Sequence, residues 1–241
     1  MVTMSENEIV TGQQYAWKLI KKLAEGDAGE VYLVEALSSG RDAVLKRPRA
    51  GAFTGEMFRQ SAQIRTEAQV LKALASAPGQ DARLRVRVPE LLDQSKPDAD
   101  YSGHNFIIVE RAAGLDLAFL ARVAKMGLSS QEDALLSLSL KERVLVDTIA
   151  RTGKIPTRIL VTVLQRLTHF IEFIHTVHVN NNGGQSSVVL WNDVKPDHLF
   201  WDVGRSVLTV IDWGNARFLE EDLTTSDRQF SWMDDYRQLF E

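Results

Sequence analysis

The sequence of 241 residues contains no cysteine, little proline and no long apolar run. The lack of cysteine excludes a disulfide scaffold, a thiolate metal site and a cysteine nucleophile. No stretch approaches the roughly 18 apolar residues of a membrane span, and the start of the chain lacks the basic and apolar regions of a secretory signal. The net charge of −4 disfavours a nonspecific nucleic-acid or membrane binder. We therefore expect a cytoplasmic protein that binds neither nucleic acid nor membranes.

The composition is that of an ordinary globular protein, with 44% hydrophobic and 25% charged residues. Residues 1–14 are polar and are predicted to form a flexible leader. Short β-like runs follow, with one predicted helix over residues 55–76. The later pattern is mostly helical, and residues 157–178 carry the clearest helical stripe. We expect a β-rich lobe over residues 15–110 and a helical lobe over residues 111–241.

Two turns predict hairpins. Gly26 and Gly29 separate two strand-like runs, and glycine lets backbone amides approach a phosphate closely. Such a turn is more often only a turn. Further along, residues 188–190 and 199–201 are short apolar runs around a polar loop, which predicts a second hairpin.

Four charged residues could carry chemistry. Lys46 ends an apolar strand, and Glu67 lies on the predicted helix, so a Lys–Glu pair would hold the ammonium toward nucleotide phosphates. Asp193 and Asp212 follow apolar runs, where one carboxylate could deprotonate a hydroxyl and the other could hold a divalent cation. Taken singly, each of these residues is better explained as a solvated or snorkelling side chain.

Their order along the chain is more specific than any one of them. A glycine turn, a strand lysine, a helix glutamate, an Asp-x-Lys loop and an Asp-aromatic-Gly turn match the protein-kinase signature set. The chain resembles the eukaryotic-type protein kinase superfamily, of the Ser/Thr kind, over residues 15–241. The resemblance implies an α+β bilobal fold, with a small β-rich N-lobe containing one major helix and a mostly helical, truncated or atypical C-lobe.

The resemblance implies that ATP binds between the lobes. Gly26 and Gly29 would cover its phosphates, Lys46 would contact the α- and β-phosphates, and Glu67 would hold Lys46. The family's first loop glycine is replaced by Ala24. The implied adenine contacts are Val31, Ala43, the gatekeeper Val109, the backbones of Glu110 and Ala112, and Phe200 as the floor of the pocket.

The resemblance also implies the catalytic and metal residues. Asp193 would be the catalytic base, Lys195 would steady the γ-phosphate, and Asp212 would bind Mg²⁺. His198 stands where the family has a metal-binding Asn, so this metal site is expected to be weak, lost or biased toward Mn²⁺. The alternative is that His198 only forms local hydrogen bonds. Asp234 matches the aspartate that braces the catalytic loop.

Other departures from the family concern packing and regulation. Trp191 and Trp213 replace the His and Phe that stack with a helix residue, here Leu71, and are expected to fill the same volume. Asn192 replaces the Arg that receives an activation-loop phosphate. We therefore predict that activity does not depend on phosphorylation of the activation loop. The residues to test are Thr224, Thr225 and Ser226.

The region after Asp212 is short for a kinase C-lobe and contains no Ala-Pro-Glu element. We expect a further C-terminal region or a partner protein to complete the lobe. The leading functional hypothesis is an ATP-dependent protein serine/threonine kinase. The alternatives are a pseudokinase that binds nucleotide without turnover, and a small-molecule kinase of the aminoglycoside or choline type.

Overall fold

The structure is a computed structural model that describes residues 8–50, 54–77, 85–97, 105–127, 138–180, 186–220 and 233–239. Its fold class is α+β, as the sequence predicted. The helices are α1 (Thr54–Ala75), α2 (Leu117–Met126), α3 (Leu140–Thr152), α4 (Thr157–Thr176) and a last helical segment at residues 233–239. The strands are β1 (Ile9–Thr11), β2 (Ala16–Gly26), β3 (Gly29–Ala36), β4 (Asp42–Arg47), β5 (Val86–Arg87), β6 (Leu91–Gln94), β7 (Ile107–Glu110), β8 (Leu115–Asp116), β9 (Val179–Asn180), β10 (Ser186–Leu190), β11 (Leu199–Asp202), β12 (Val207–Val210) and β13 (Arg217–Glu220).

The first half of the chain forms a six-stranded antiparallel sheet in the order β1-β2-β3-β4-β7-β6. The predicted hairpin is present, since β2 and β3 pair as far as Gly26 opposite Gly29. Alternation along β4 places Ala43 and Leu45 on one face and Val44 on the other. Lys46 shares the face of Val44, so its ammonium points toward α1 rather than away from it.

The prediction of a flexible leader over residues 1–14 is wrong for residues 9–14, which are ordered against the sheet. β1 pairs with β2, and the following turn is fastened to the buried carboxylate of Asp93. This carboxylate accepts hydrogen bonds from the backbone N–H groups of Gln13, Gln14 and Tyr15 and from the Trp17 indole, at 2.9–3.2 Å. A buried carboxylate requires such donors, and the sequence alone did not reveal them. Residues 1–7 lie outside the described residues.

The helical predictions agree with the structure. The helix predicted over residues 55–76 is α1, and the helix predicted over residues 157–178 is α4. Ser139 precedes α3 and forms a capping box, in which the Ser139 hydroxyl accepts from the Glu142 N–H and the Glu142 carboxylate accepts from the Ser139 N–H. Among the described helices, none combines the length and apolar character needed to cross a membrane.

The prediction that residues 188–190 pair with residues 199–201 in a second hairpin is wrong. β11 pairs with β12 through the turn at Gly204, whereas β10 pairs with β9 and β13 in a separate sheet. A third sheet has the order β5-β12-β11-β8, in which β5 is parallel to β12. The polar loop after β10 therefore runs from one sheet to another. Of the two partners of β10, β9 directly precedes it and β13 is distant in sequence, and short apolar strands carry no signal that selects a distant partner.

Candidate functional site

Two strand pairs bring the loops at residues 191–198 and 211–216 together. β11 pairs with β12, so His198, just before β11, lies beside the residues that follow β12. The Ile211 N–H extends this ladder by donating to the His198 carbonyl at 3.0 Å. β10 and β13, which precede and follow the two loops, are paired as well. The polar side chains of both loops are therefore held within reach of one another.

Lys46 and Glu67 form the ion pair that the sequence predicted. The Lys46 Nζ lies 2.8 Å from Glu67 Oε1 and 2.9 Å from Oε2. Glu67 is almost completely buried, and the Lys46 side chain is only 13% exposed. Burial raises the pKa of Glu67, and Lys46 opposes this shift. Because the pair joins β4 to α1 away from bulk water, it fixes the position of the ammonium.

Asp212 lies on the other side of Lys46, with its Oδ1 3.5 Å from the lysine Nζ. The Lys46 ammonium, aided by a hydrogen bond from His198, holds the pKa of Asp212 well below its usual range. Burial alone would lower the pKa of Lys46, but the charges of Asp212 and Glu67 outweigh it and raise that pKa. Asp212 also has a positive φ of 65°. This left-handed conformation is uncommon outside glycine and is concentrated at functional sites.

Asp193, His198 and Asp212 form a compact group of three metal-ligand side chains. One ligand atom from each lies within 4.8 Å of the other two. The closest approach is from His198 Nε2 to Asp212 Oδ2, at 3.2 Å. Two carboxylates and an imidazole at this spacing could bind a divalent cation, and the carboxylate oxygens fit Mg²⁺ better than the imidazole nitrogen does.

Both ring nitrogens of His198 face oxygen atoms. Nδ1 lies 3.0 Å from the backbone carbonyl of Asp193, and Nε2 faces the carboxylate of Asp212. The carbonyl can accept a hydrogen bond from an N–H on Nδ1. Nε2, which faces the carboxylate, could donate a hydrogen bond when it is protonated or bind a cation when it is not. The local-hydrogen-bond and metal-ligand interpretations of His198 are therefore compatible in this geometry.

Among the described residues, three side chains approach the carboxylate of Asp193, one of which is His198, with Nδ1 3.7 Å from Oδ2. Lys195 lies 3.0 Å from Oδ1, and Asn215 donates from Nδ2 to Oδ2 at 3.1 Å. Lys195 was predicted to act on a phosphate, and in this structure its ammonium contacts the neighbouring carboxylate. Asn215 was missed by sequence reasoning, although it follows the Asp-aromatic-Gly turn directly. Its position one residue after that turn is the signal that could have identified it.

The aspartate that braces the loop is Asp235, not Asp234 as predicted. Asp235 is fully buried, and its carboxylate accepts hydrogen bonds from the backbone N–H of Trp191 at 2.9 Å and of Asn192 at 2.6 Å. His175 of α4 lies 2.9 Å from the same carboxylate. Asp234 faces solvent, and within the described part of the chain it forms an ion pair with Arg237. Asn192 has a positive φ of 60°, a conformation that asparagine tolerates.

Trp191 and Trp213 are fully buried and pack with their ring centroids 5.5 Å apart. Leu71 of α1 belongs to the same hydrophobic cluster, and Phe170 of α4 contacts Trp213 edge-on at 6.0 Å. The Trp191 indole N–H also donates to the Asp212 carbonyl at 3.0 Å. The two tryptophans thus join the loops through both apolar contact and a hydrogen bond.

The glycine turn is fastened to the start of α1. The side-chain amide of Gln60, which is fully buried, donates to the Asp27 carbonyl at 3.2 Å. Gly29 has a φ of 118°, and a Cβ there would lie 2.2 Å from the Arg47 carbonyl oxygen. Gly26 has open space around it. Glycine is therefore required by the backbone at Gly29 and not at Gly26.

Only some of the residues predicted to contact adenine lie on the same face of the sheet as Lys46. Val31 lies opposite Lys46 in the sheet, and Val44 pairs with Val109. Ala43 does not join them, because it is fully buried in a cluster on the opposite face of the sheet. The prediction for Ala43 was wrong by one position, and strand alternation gives its place to Val44.

The remaining predicted contacts lie along the connection between the halves. The Glu110 N–H already donates to the Glu90 carbonyl at 2.8 Å. Ala112 lines an open cavity of about 460 Å³ beside this connection. Phe200 is half-buried and pairs with Asp116 between β11 and β8. Residues 224–226, proposed as phosphorylation tests, lie outside the described residues.

Comparison with known proteins adds no relationship. No family model matches the chain, and no curated protein matches it.

Proposed function

We propose that the chain is an ATP-dependent phosphotransferase with a protein kinase-like bilobal fold, and that it transfers the γ-phosphoryl group to a hydroxyl of a protein serine or threonine. One observation carries the proposal. An ammonium and three carboxylates from four separate stretches of the chain converge on one site: Lys46, Glu67, Asp193 and Asp212. A buried lysine held between two carboxylates suits the binding of a nucleotide phosphate, which can share its donors.

In the proposed reaction the substrate oxygen forms a bond to the γ-phosphorus, and the bond from that phosphorus to the β–γ bridging oxygen breaks. The substrate proton moves to the Asp193 carboxylate, and ADP leaves with the bond's electron pair. Lys46 and Lys195 neutralise phosphate charge, so catalysis depends on positioning and electrostatics.

Asp212 and His198 would hold a divalent cation beside the Asp193 carboxylate. The cation would neutralise phosphate charge in the cleft. A transition ion such as Mn²⁺ accepts an imidazole nitrogen more readily than Mg²⁺ does. We therefore expect Mn²⁺ to support more activity than Mg²⁺, and His198→Asn to reverse this preference.

The test is incubation of the folded protein with γ-labelled ATP, Mg²⁺ or Mn²⁺, and acidic and basic protein acceptors. We expect labelled protein from the wild type and none from Asp193→Ala or Lys46→Ala. Asp234→Asn, which changes an exposed carboxylate outside the cleft, is the control and should retain transfer. A folded wild type that neither binds nor consumes ATP would contradict the proposal.

A second candidate is a nucleotide-binding module without turnover. The contacts of His198 favour it, because a histidine held against Asp193 and Asp212 changes a metal site that a phosphotransferase needs. ATP binding by calorimetry without transfer to protein acceptors would support it. Transfer to an aminoglycoside or choline instead of protein would support the small-molecule kinase alternative.

A further inference from the structure

One face of α1 contacts three separate parts of the cleft. Gln60 donates to the glycine turn, Gln63 donates to Asn215, and Glu67 binds Lys46. Residues three and four apart lie on the same side of a helix, so these side chains form one row along α1. The outer two contacts fix the glycine turn and the lysine. The middle contact has no assigned role.

The middle contact leads directly to Asp193. The Gln63 Nε2 donates to Asn215 Oδ1 at 2.9 Å, and the Asn215 Nδ2 donates to Asp193 Oδ2 at 3.1 Å. Only one orientation of the Asn215 amide satisfies both contacts, because its oxygen must face the glutamine and its nitrogen must face the carboxylate. The donor on Gln63 therefore determines which group Asn215 presents to Asp193.

Two further observations indicate that this contact is constrained. The Gln63 Oε1 is buried and has no hydrogen-bond partner among the described residues, which is a cost that a packing residue would avoid. A Cβ at Gly214 would lie 3.2 Å from the Gln63 Cβ. Glycine at this position lets α1 approach the 214–215 backbone closely enough for the amide contact.

We propose that Gln63 and Asn215 form a positioning relay that aims the Asp193 carboxylate and makes its alignment depend on the position of α1. This inference rests on the proposed phosphotransfer. Movement of α1 away from the 211–216 loop breaks the Gln63–Asn215 contact and frees the asparagine amide to turn.

The kinetic test uses substitutions that separate shape from hydrogen bonding. Gln63→Glu keeps the shape but removes the donor, and Gln63→Lys keeps a donor but changes the shape. We expect Gln63→Glu to lower kcat about tenfold to a hundredfold with little change in the KM for ATP, and Gln63→Lys to retain more activity. Gln69→Glu, elsewhere on α1, is the matched control. Equal kcat for Gln63→Glu and the wild type, or less activity in Gln63→Lys than in Gln63→Glu, would overturn the relay.

A second measurement does not require activity. The side-chain amide signals of Asn215 in a ¹H–¹⁵N NMR spectrum should move in Gln63→Glu and in Asp193→Ala, and should stay in place in Gln69→Glu. If the Asn215 signals move in neither Gln63→Glu nor Asp193→Ala, the relay is overturned, even if the wild type transfers phosphate. If the wild type transfers no phosphate but the signals move as expected, the proposed function fails and the coupling of α1 to Asp193 stands.

Discussion

Lys46 lies between two carboxylates, so its removal leaves two neighbouring acidic groups without their cation. We predict that Lys46→Met lowers the free energy of unfolding by about 3–5 kcal/mol near neutral pH, the usual cost of breaking a buried ion pair by removing one partner. The methionine retains most of the apolar contact of the lysine stem, so the loss is electrostatic. Urea unfolding followed by circular dichroism measures it.

The same variant should also respond differently to pH. In the wild type, the low pKa of Asp212 stabilises the fold at pH values above the ordinary carboxyl pKa. The raised pKa of Lys46 stabilises the fold at pH values below the ordinary lysine pKa. Without Lys46, burial raises the pKa of Glu67 unopposed, so protonation stabilises the variant as pH falls. The stability gap should therefore be smaller near about pH 5 than near about pH 7.5. A gap that is constant or widens on acidification would contradict this account.

Asp235 and Asp234 are adjacent carboxylates in opposite environments. Asp235→Asn replaces an acceptor oxygen by a donor facing the N–H groups of Trp191 and Asn192. We predict a loss of about 2–4 kcal/mol in unfolding free energy, because buried hydrogen bonds to a charged acceptor are among the stronger ones. Asp234→Asn, at an exposed position, should change stability by no more than about 0.5 kcal/mol. Thermal and urea unfolding of the two variants make the comparison, and equal effects would refute the assignment.

The sequence could predict the Lys46–Glu67 pair but not the choice between Asp234 and Asp235. The lysine closes an apolar strand and the glutamate lies on a predicted helix, but the pair was predicted from their order within the kinase-like set of motifs, not from local pattern alone. Two consecutive acidic residues at the start of a helix differ only in which side of that helix meets the rest of the protein. That depends on tertiary packing against His175 and the 191–198 loop, which local sequence does not encode.

The stability of the β2–β3 hairpin depends more on Gly29 than on Gly26. Gly29→Ala would place a Cβ against the Arg47 carbonyl in a backbone conformation that alanine avoids. We predict a loss of at least about 1–3 kcal/mol in unfolding free energy. Gly26→Ala meets no neighbouring atom and should cost no more than about 0.5 kcal/mol. Denaturant unfolding tests both, and a more damaging Gly26→Ala would show that the turn geometry differs from this description.

Elements formed by neighbouring segments were predicted better than elements formed by distant ones. The β2–β3 hairpin and the helices α1 and α4 follow from periods and turn residues within one stretch of sequence. The pairing of β10 with β13 and the parallel pairing of β5 with β12 join segments far apart in the chain. Their registers are set by burial in the assembled core. The metal-ligand group depends on the β10–β13 pair as well as on the neighbouring β11–β12 pair, so the order of its residues could be predicted but its geometry could not.

The two halves of the molecule share one strand in their cores. β7 contributes Ile107 and Val109 to the larger hydrophobic cluster, which includes α1 and the later helices, and Ile108 to the smaller cluster on the opposite face of the sheet. If either cluster unfolded, one face of β7 would lose its packing. The backbone hydrogen bonds of β7 to β4 and β6 would then be exposed to water. The physical expectation is that neither cluster unfolds alone.

Tryptophan side chains in the two clusters allow this expectation to be tested. Trp17 belongs to the smaller cluster and Trp213 to the larger one. After incorporation of fluorotryptophan, we predict that the ¹⁹F signals of both residues lose their folded intensity at the same urea concentration. Trp17→Phe and Trp213→Phe assign the signals. If Trp17 lost its folded signal at a clearly lower concentration, the β-sheet would unfold independently, and α1 would owe its position to the later helices alone.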